Sequence, residues 1–499
     1  MKVKLLRSLT IGYLLVPNLL YYFFWTKTAI AAVWILLLLA AFATVLTSGN
    51  FNSDARASLT AKDLGVLIAV ALLITFVSGA AGLSYQTFDY WCHNTKFYEL
   101  FKYDWPIRIP QDGPVISYYY GYYVVPALIF KWLGGINEAV IFIWTAIGFF
   151  LGLAWVYLAL NKSIIFTLLA TAVGDTPHVI KTVFYKFTHM WYQMGDFGLE
   201  SWSNFENLLW VPNQVIPTLM IGGMFVYLLK NKLDVEHIVL PVALTFWWAV
   251  FPAFTGGLLV AIVIVRKWLL AGLRLDWGLV SKHVVLPFLC CLPMLVFLTS
   301  HEEPPISGFI WQFPDSMPSR VIEYIVNIGI NLVLFFFCYR YFSSRQTSPM
   351  DSFPFYVILF FFMVFPIYRV GKVNDFLFRG LMPYLIIIGI YVFYPFTTGS
   401  WQDSWRMMRK SLLKLAFIAV MASCSFIAIG RVVRSLRVNV ITKHYFPDRV
   451  VFDPIPYDAY PNIYEVLRDK WSQREADQYL GKKDSFYELK MAPANPADN

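Results

Sequence analysis

Charge is scarce in this sequence. Asp, Glu, Lys and Arg make up 14% of its 499 residues, whereas soluble domains carry about 25%, and that excludes an ordinary water-soluble globule. Cysteine is scarce too: of Cys92, Cys290, Cys291, Cys338 and Cys424, four lie inside apolar runs, where a thiol serves as a small hydrophobe. Only Cys92 falls in a polar stretch, so no disulfide framework is expected, and no spacing suggests a metal site. Strand patterns, internal repeats and low-complexity segments are absent. The net charge of +9 is read as an orientation signal and not as nucleic-acid affinity, because many Lys and Arg sit in short connections between apolar runs.

What the chain has in abundance is hydrophobic length. Runs of helical size fall near 8–25, 29–47, 64–83, 139–160, 163–174, 213–229, 238–251, 256–269, 283–299, 321–341, 354–368, 380–397 and 411–430. About 20 apolar residues span the hydrocarbon core of a bilayer. The runs 163–174, 238–251 and 256–269 are too short to span alone, so they are expected to be partly re-entrant or to continue into neighbouring aromatic segments. The expected fold class is therefore all-α: a polytopic transmembrane helix bundle of about thirteen helices over 1–430, behaving as one body, with membrane-skimming helices in its external loops. The opening MKVKLLR and the apolar run after it have the form of a signal sequence, but no small-residue cleavage site follows, so a retained first helix is expected.

Basic residues fix the expected orientation. Lys2, Lys4 and Arg7, then Arg56 and Lys62, Lys162, Lys230 and Lys232, Arg266, Lys267 and Arg274, Arg340 and Arg345, and Arg406, Arg409 and Lys410 mark alternate connections. The positive-inside rule puts all of these in the cytoplasm. The major loop 84–138, the Gly174–Pro212 segment, 301–320, 369–380 and a polar tail over 431–499 then face the other side. That tail is too short for much of a core of its own. Arg431, Arg434 and Arg437, just past the last run, oppose the rule and suit phosphate or acidic lipid.

The candidate site residues cluster on that outer side. Asp89 and His93 are spaced i, i+4, so a helix points both the same way, with Asn94 adjacent. A carboxylate there can take a proton from an incoming hydroxyl while His93 or Asn94 holds substrate; the blander alternative is that Asp89 caps the helix and His93 sits among headgroups. Tyr118, Tyr119, Tyr120, Tyr122 and Tyr123 suit a membrane interface, or sugar stacking, or a groove for a lipid tail. Asn213 and Gln214 stand at a helix mouth as uncharged partners for sugar hydroxyls, or merely begin a helix with Pro in its first turns. His301, Glu302 and Glu303 on a Pro-rich loop are expected to be solvated and not to bind a cation. In Lys372-Val-Asn-Asp-Phe-Leu-Phe-Arg379, Asp375 and Arg379 are again i, i+4 at the entry to an apolar helix, beside Asn374 and near Arg369. They form either a phosphate clamp with Lys372 and Arg369, or an intrahelical pair with Arg379 snorkelling to the surface.

The order of these parts resembles the GT-C glycosyltransferase superfamily, polytopic enzymes that use polyprenyl-phosphate-linked sugars. The segments FDYWCHNTKFYELFKYDWPI, YYYGYYVVPALIFKWLG, WVPNQVIPTLMIGGM and GKVNDFLFRGLMPYL are also similar to motifs of bacterial multi-pass proteins associated with it. The resemblance covers roughly 60–400 in arrangement and some sixty residues in motif. It departs in placing the loop after the third expected helix and in having Tyr90 where an acidic pair is common. It implies an enzyme of the bacterial inner (plasma) membrane, facing the periplasm or cell exterior, that moves a sugar from a polyprenyl-phosphate donor to a glycan, lipid or protein hydroxyl. Asp89 would be the base and Arg379 the cation on the lipid phosphate. His93, Asn94, Asn213, Gln214, Asn374, Asp375, Lys372 and Arg369 would bind substrate. No cofactor, no metal and no nucleic-acid partner are expected; membrane lipids are. The alternatives are a polysaccharide polymerase or O-antigen-ligase-like enzyme, whose Arg-bearing external loop does not match 174–212 with its His178 and His189, and a lipid or polysaccharide transporter or flippase.

Overall fold

The structure, a computed structural model, describes residues 1–47, 58–110, 112–174, 176, 187–188, 201–313, 321–343, 349–371, 374–398, 402, 406, 409, 411–446 and 454–495. Lys372, His178 and His189 lie outside the described residues. The chain runs through α1 (Val3–Trp25), α2 (Thr28–Thr47) and α3 (Ala61–Ser78) to two helices of the major loop, α4 (Tyr90–Lys102) and α5 (Val124–Leu133). It returns through α6 (Glu138–Ala159) and the short α7 (Ile164–Thr171). The helices Pro212–Lys230, Val250–Leu270, Trp277–Leu298, Val321–Ser343 and Phe376–Thr397 follow. With α1, α2, α3 and α6 they make nine, among the described residues, that are long and apolar enough to cross a bilayer. This is a multi-pass, all-α membrane protein.

Local signals set the ends of these helices. At α3, Thr60 Oγ1 accepts from the Asp63 amide while Asp63 Oδ2 accepts from the Thr60 amide, and Gly79 at φ +86° stops the helix in the left-handed region. The run 256–269, expected to be too short, proves to be a 21-residue helix because it begins at Val250, within the neighbouring aromatic segment. The runs 163–174, 238–251 and 354–368 become the shorter helices α7, Val235–Thr245 and Phe353–Ile367. The expected domain edge at 430 falls inside a helix: Leu412–Leu436 continues through Arg437–Thr442 and Lys443–Tyr445. At 1.5 Å per residue that is about 50 Å, well beyond a hydrocarbon core of about 30 Å. Arg431, Arg434 and Arg437 recur every third residue, so the hydrophobic run ends there without the helix ending.

The Pro212–Lys230 helix is buried along nearly its whole length and forms the core, with α6 and Phe376–Thr397 packed against it. Glycines bring these helices close. A side chain at Gly152 would strike Leu219, and one at Gly223 would come within 2.8 Å of the Trp155 Cβ and the Val156 amide nitrogen. Close approach through small residues is how helices gain contact where lipid supplies no hydrophobic drive. By contrast α2 is largely exposed and faces outward.

Polar groups gather at the two poles of the bundle. At one, Lys162 Nζ donates to Ser58 O at 2.6 Å and pairs with Asp63 at 3.3 Å, Lys230 donates to Asn161 Oδ1 at 2.6 Å, and Lys267 pairs with Asp234 and Glu236. At the other lie the major loop, the 299–313 segment and the tail. No strand was expected, yet β1 (Ser307–Phe309) pairs antiparallel with β2 (Tyr368–Val370). Three residues per strand are too few to reveal a period of two in sequence. The tail has no separate core and borrows the loop's. Ile463, Val466, Ala476, Tyr487 and Met491 are buried, Arg108 pairs with Glu488 at 2.6 Å, and Tyr487 Oη donates to Trp25 O at 2.6 Å.

Replacing Gly223 by Ala is expected to overpack the α6 contact and cost about 1–3 kcal/mol. Gly65→Ala on α3, where an added Cβ meets nothing within 4 Å, is expected to be neutral or slightly stabilising. Thermal unfolding in detergent micelles checks the contrast; equal effects would show that the glycines do not set the helix spacing.

Candidate functional site

The site starts with how α4 is anchored. Tyr90 Oη donates to Ser78 O at 2.6 Å, Thr87 Oγ1 donates to Leu209 O at 2.7 Å, and Gln86 Nε2 donates to Gly79 O at 3.0 Å. These fix the first turn, where Asp89 occupies the N-cap position. Its carboxylate makes no capping hydrogen bond, so the bland reading of this residue is not realised. From Asp89 one face of α4 carries Cys92, His93 and Lys96 at i+3, i+4 and i+7, and all four line one cavity.

That cavity has a volume of about 90 Å³ and opens to the surface. Tyr118 and Tyr119 wall it from the chain leading into α5. Asn213 and Gln214 enter from the mouth of the Pro212–Lys230 helix, Asp375 and Arg379 from the mouth of Phe376–Thr397, and Trp471, Glu475 and Tyr479 from the tail. Residues nearly 300 positions apart thus meet: Asp89 and Arg379 share a chamber, and the charge of each acts on the other. Asp375 Oδ1 lies 3.2 Å from Arg379 Nη1. Gly371, at φ +76°, leaves room for this, because a side chain there would land on the Asp375 carboxylate.

The electrostatics follow from burial. Desolvation raises the Asp89 carboxyl above the ordinary aspartate range; the positive charges of Arg379 and Lys96 pull it back, and Asp375 pushes it up again. Burial likewise brings the Lys96 ammonium down to about 8. Its Nζ lies 4.3, 4.9 and 5.9 Å from the ring centroids of Tyr123, Tyr118 and Tyr119, an aromatic cradle for a cation. His93 is fully engaged within the protein. Nε2 is 2.7 Å from the Trp210 carbonyl, which can only accept, so Nε2 carries the proton and Nδ1 accepts from Tyr123 Oη at 2.5 Å. Burial holds this ring neutral, well below the usual histidine range. His93 is therefore a positioning residue that ties α4 to α5 and to the 210 turn.

The amides behave differently. Among the described residues neither amide atom of Asn213 has a hydrogen-bond partner although the residue is 1% exposed, and the Gln214 amide has a single contact, Nε2 to Tyr119 Oη at 3.4 Å. An unsatisfied buried amide costs about 1–3 kcal/mol, which a hydroxyl-bearing ligand would offset. Three expected residues do not line the chamber. Asn94 faces the tail, donating to Ile455 O at 2.6 Å. Arg369, buried in β2, donates through Nε to Gly371 O at 3.0 Å and lays its guanidinium over Phe313 at 4.6 Å, so it braces the turn. Asn374 takes φ +58°, a conformation Asn tolerates better than most residues. Sequence reasoning missed Lys96, although the spacing that picked out His93 continues to it. It also missed Trp471, Glu475 and Tyr479, for which no local signal existed.

Beyond the chamber, Glu99 accepts from Tyr120 Oη at 2.8 Å and from the Ile463 amide at 2.7 Å, and burial lifts its carboxyl to about 8. A carboxyl raised by folding contributes stability that is full below its unfolded value near 4.5 and is lost as pH rises toward 8. Wild-type thermal stability is thus expected to fall between pH 5 and 8, with a shallower slope in Glu99→Gln; identical slopes would remove Glu99 as the cause. No family model, curated protein or solved structure matches this chain.

Proposed function

We propose that this chain is a GT-C-type membrane glycosyltransferase, with thirteen crossings, a cytoplasmic N-terminus and its charged chamber at the outer face of a bacterial inner membrane. The observation that carries the reading is the meeting of Asp89 and Arg379 in one chamber at the loop pole, beside the buried Asn213 amide, which has no hydrogen-bond partner among the described residues. The clustering of Lys162, Lys230 and Lys267 at the opposite pole supports the orientation.

In this reading a polyprenyl-phosphate-linked sugar enters with its phosphate toward Arg379, whose planar fork suits phosphate oxygens. An acceptor hydroxyl sits against Asp89. Its oxygen bonds to the anomeric carbon as the anomeric carbon–phosphate oxygen bond breaks, its proton passes to Asp89, and polyprenyl phosphate leaves with the electron pair. Asn213 and Gln214 hold sugar hydroxyls. Lys96, held by three tyrosine rings, adds positive potential where charge develops on the leaving group.

Asp89→Asn is expected to lower sugar transfer in membranes by about 10²–10⁴-fold, the usual worth of a general base, with the fold intact by thermal unfolding. Because burial raises the Asp89 carboxyl, wild-type transfer is expected to fall with acidification at a pH above the ordinary aspartate range. Unchanged turnover in the Asn variant would remove Asp89 as the base.

A further inference from the structure

The tail contributes Trp471, Glu475 and Tyr479 to the chamber, four residues apart in turn. It is held there as a strap between the two loops of this pole. The Ser117 amide donates to Tyr479 O at 2.9 Å, the Glu302 amide to Leu480 O at 2.7 Å, and the Lys482 amide to Ser300 O at 2.8 Å. Gly481 lies so close to the Val115 carbonyl that any side chain would lift the strap away. Tyr479 packs on Tyr118 with ring centroids 4.5 Å apart, and Tyr118 stacks on Tyr119 at 4.6 Å. Trp471 leans on Phe88 at 4.7 Å. Glu475 is 8% exposed, set by the Ser472 cap on its amide at 3.2 Å and by Gln478 Nε2 donating to its Oε2 at 2.9 Å.

We infer that Trp471, Glu475 and Tyr479 form the acceptor wall of the chamber and that the acceptor is a saccharide. This rests on the glycosyltransferase reading and narrows its acceptor to a glycan. The flat apolar faces of a pyranose match the rings of Trp471 and Tyr479, and its hydroxyls donate to the Glu475 carboxylate. The Asn213 amide, buried in the same chamber with no hydrogen-bond partner among the described residues, is left to the sugar being transferred. A lipid acceptor would call for an apolar wall in place of Glu475, and a peptide for partners to its backbone. The strap is thus the specificity-determining part of the chain, while Arg379 and Lys96 serve the donor phosphate.

The test uses the purified full-length chain in detergent micelles and reads binding as a rise in melting temperature with ligand concentration. The probes are undecaprenyl phosphate, a panel of p-nitrophenyl glycosides and a Ser/Thr-containing peptide. Wild type is expected to bind undecaprenyl phosphate and at least one glycoside. Glu475→Gln, nearly isosteric, is expected to weaken glycoside binding by about tenfold, the loss of one charge-assisted hydrogen bond, and to leave undecaprenyl phosphate binding unchanged. Glu475→Asp should recover part of the loss, and Arg379→Ala should give the opposite pattern. Glycosides that fail to bind wild type, peptide binding in their place, or equal losses for both probes in Glu475→Gln would overturn the saccharide wall while undecaprenyl phosphate binding stands. Wild type that binds glycosides through Glu475 but ignores undecaprenyl phosphate would keep the wall and sink the donor assignment.

Discussion

The charge of Arg379 at the mouth of a membrane-spanning helix is the constraint on which this architecture turns. A guanidinium partly withdrawn from water gains from opposite charge and hydrogen-bond acceptors close by. Asp375, one turn before it, supplies the near partner, and Asp89 supplies a second from the far end of the major loop. The two carboxylates repel one another and depend on the cation between them. Electrostatics therefore adds to packing in holding the loop helix α4, the helix entered by Arg379 and the Gly371 turn in register.

A chamber built this way is rich in fixed charge. Asp89 and Lys96 project from a helix, Asn213 and Gln214 from the first turn of the most buried helix, and Arg379 from the entry to another. Polar groups on rigid elements hold their geometry better than groups on loops. The histidine expected to hold substrate serves this rigidity: with both nitrogens engaged it locks α4 against Tyr123 and the Trp210 carbonyl.

Much of this was legible in the sequence, for one reason: in a membrane protein, polarity at the end of an apolar run is informative. Asp89, Asn213, Gln214, Asp375 and Arg379 each stand at a helix mouth, and mouths on one side of a bundle have few places to go. Apolar length revealed the helices. It did not reveal that Val250 starts one early or that an Arg-bearing helix runs on to Tyr445, because helix ends depend on neighbours and caps as well as hydropathy. Asn94 and Arg369 went astray because sequence proximity to the site does not fix which way a side chain turns. The strap was invisible: its links to Ser117, Ser300 and Glu302 are backbone hydrogen bonds, which side-chain chemistry does not encode.

The two faces of α4 join the strap to the chamber. One face presents Asp89, His93 and Lys96 to the cavity; elsewhere on the helix Asn94 bonds Ile455 O and Glu99 accepts the Ile463 amide. Gln86, just before the helix, bonds both the end of α3 at Gly79 O and the Ile455 amide. A three-turn helix twists little about its own axis, so its two faces move together. The docking of the tail and the position of the Asp89 carboxylate are thereby linked through α4. This gives a physical reason for a tail with no core of its own to be threaded through so many backbone contacts: it is the outer bearing on which the carboxylate-bearing helix is aligned.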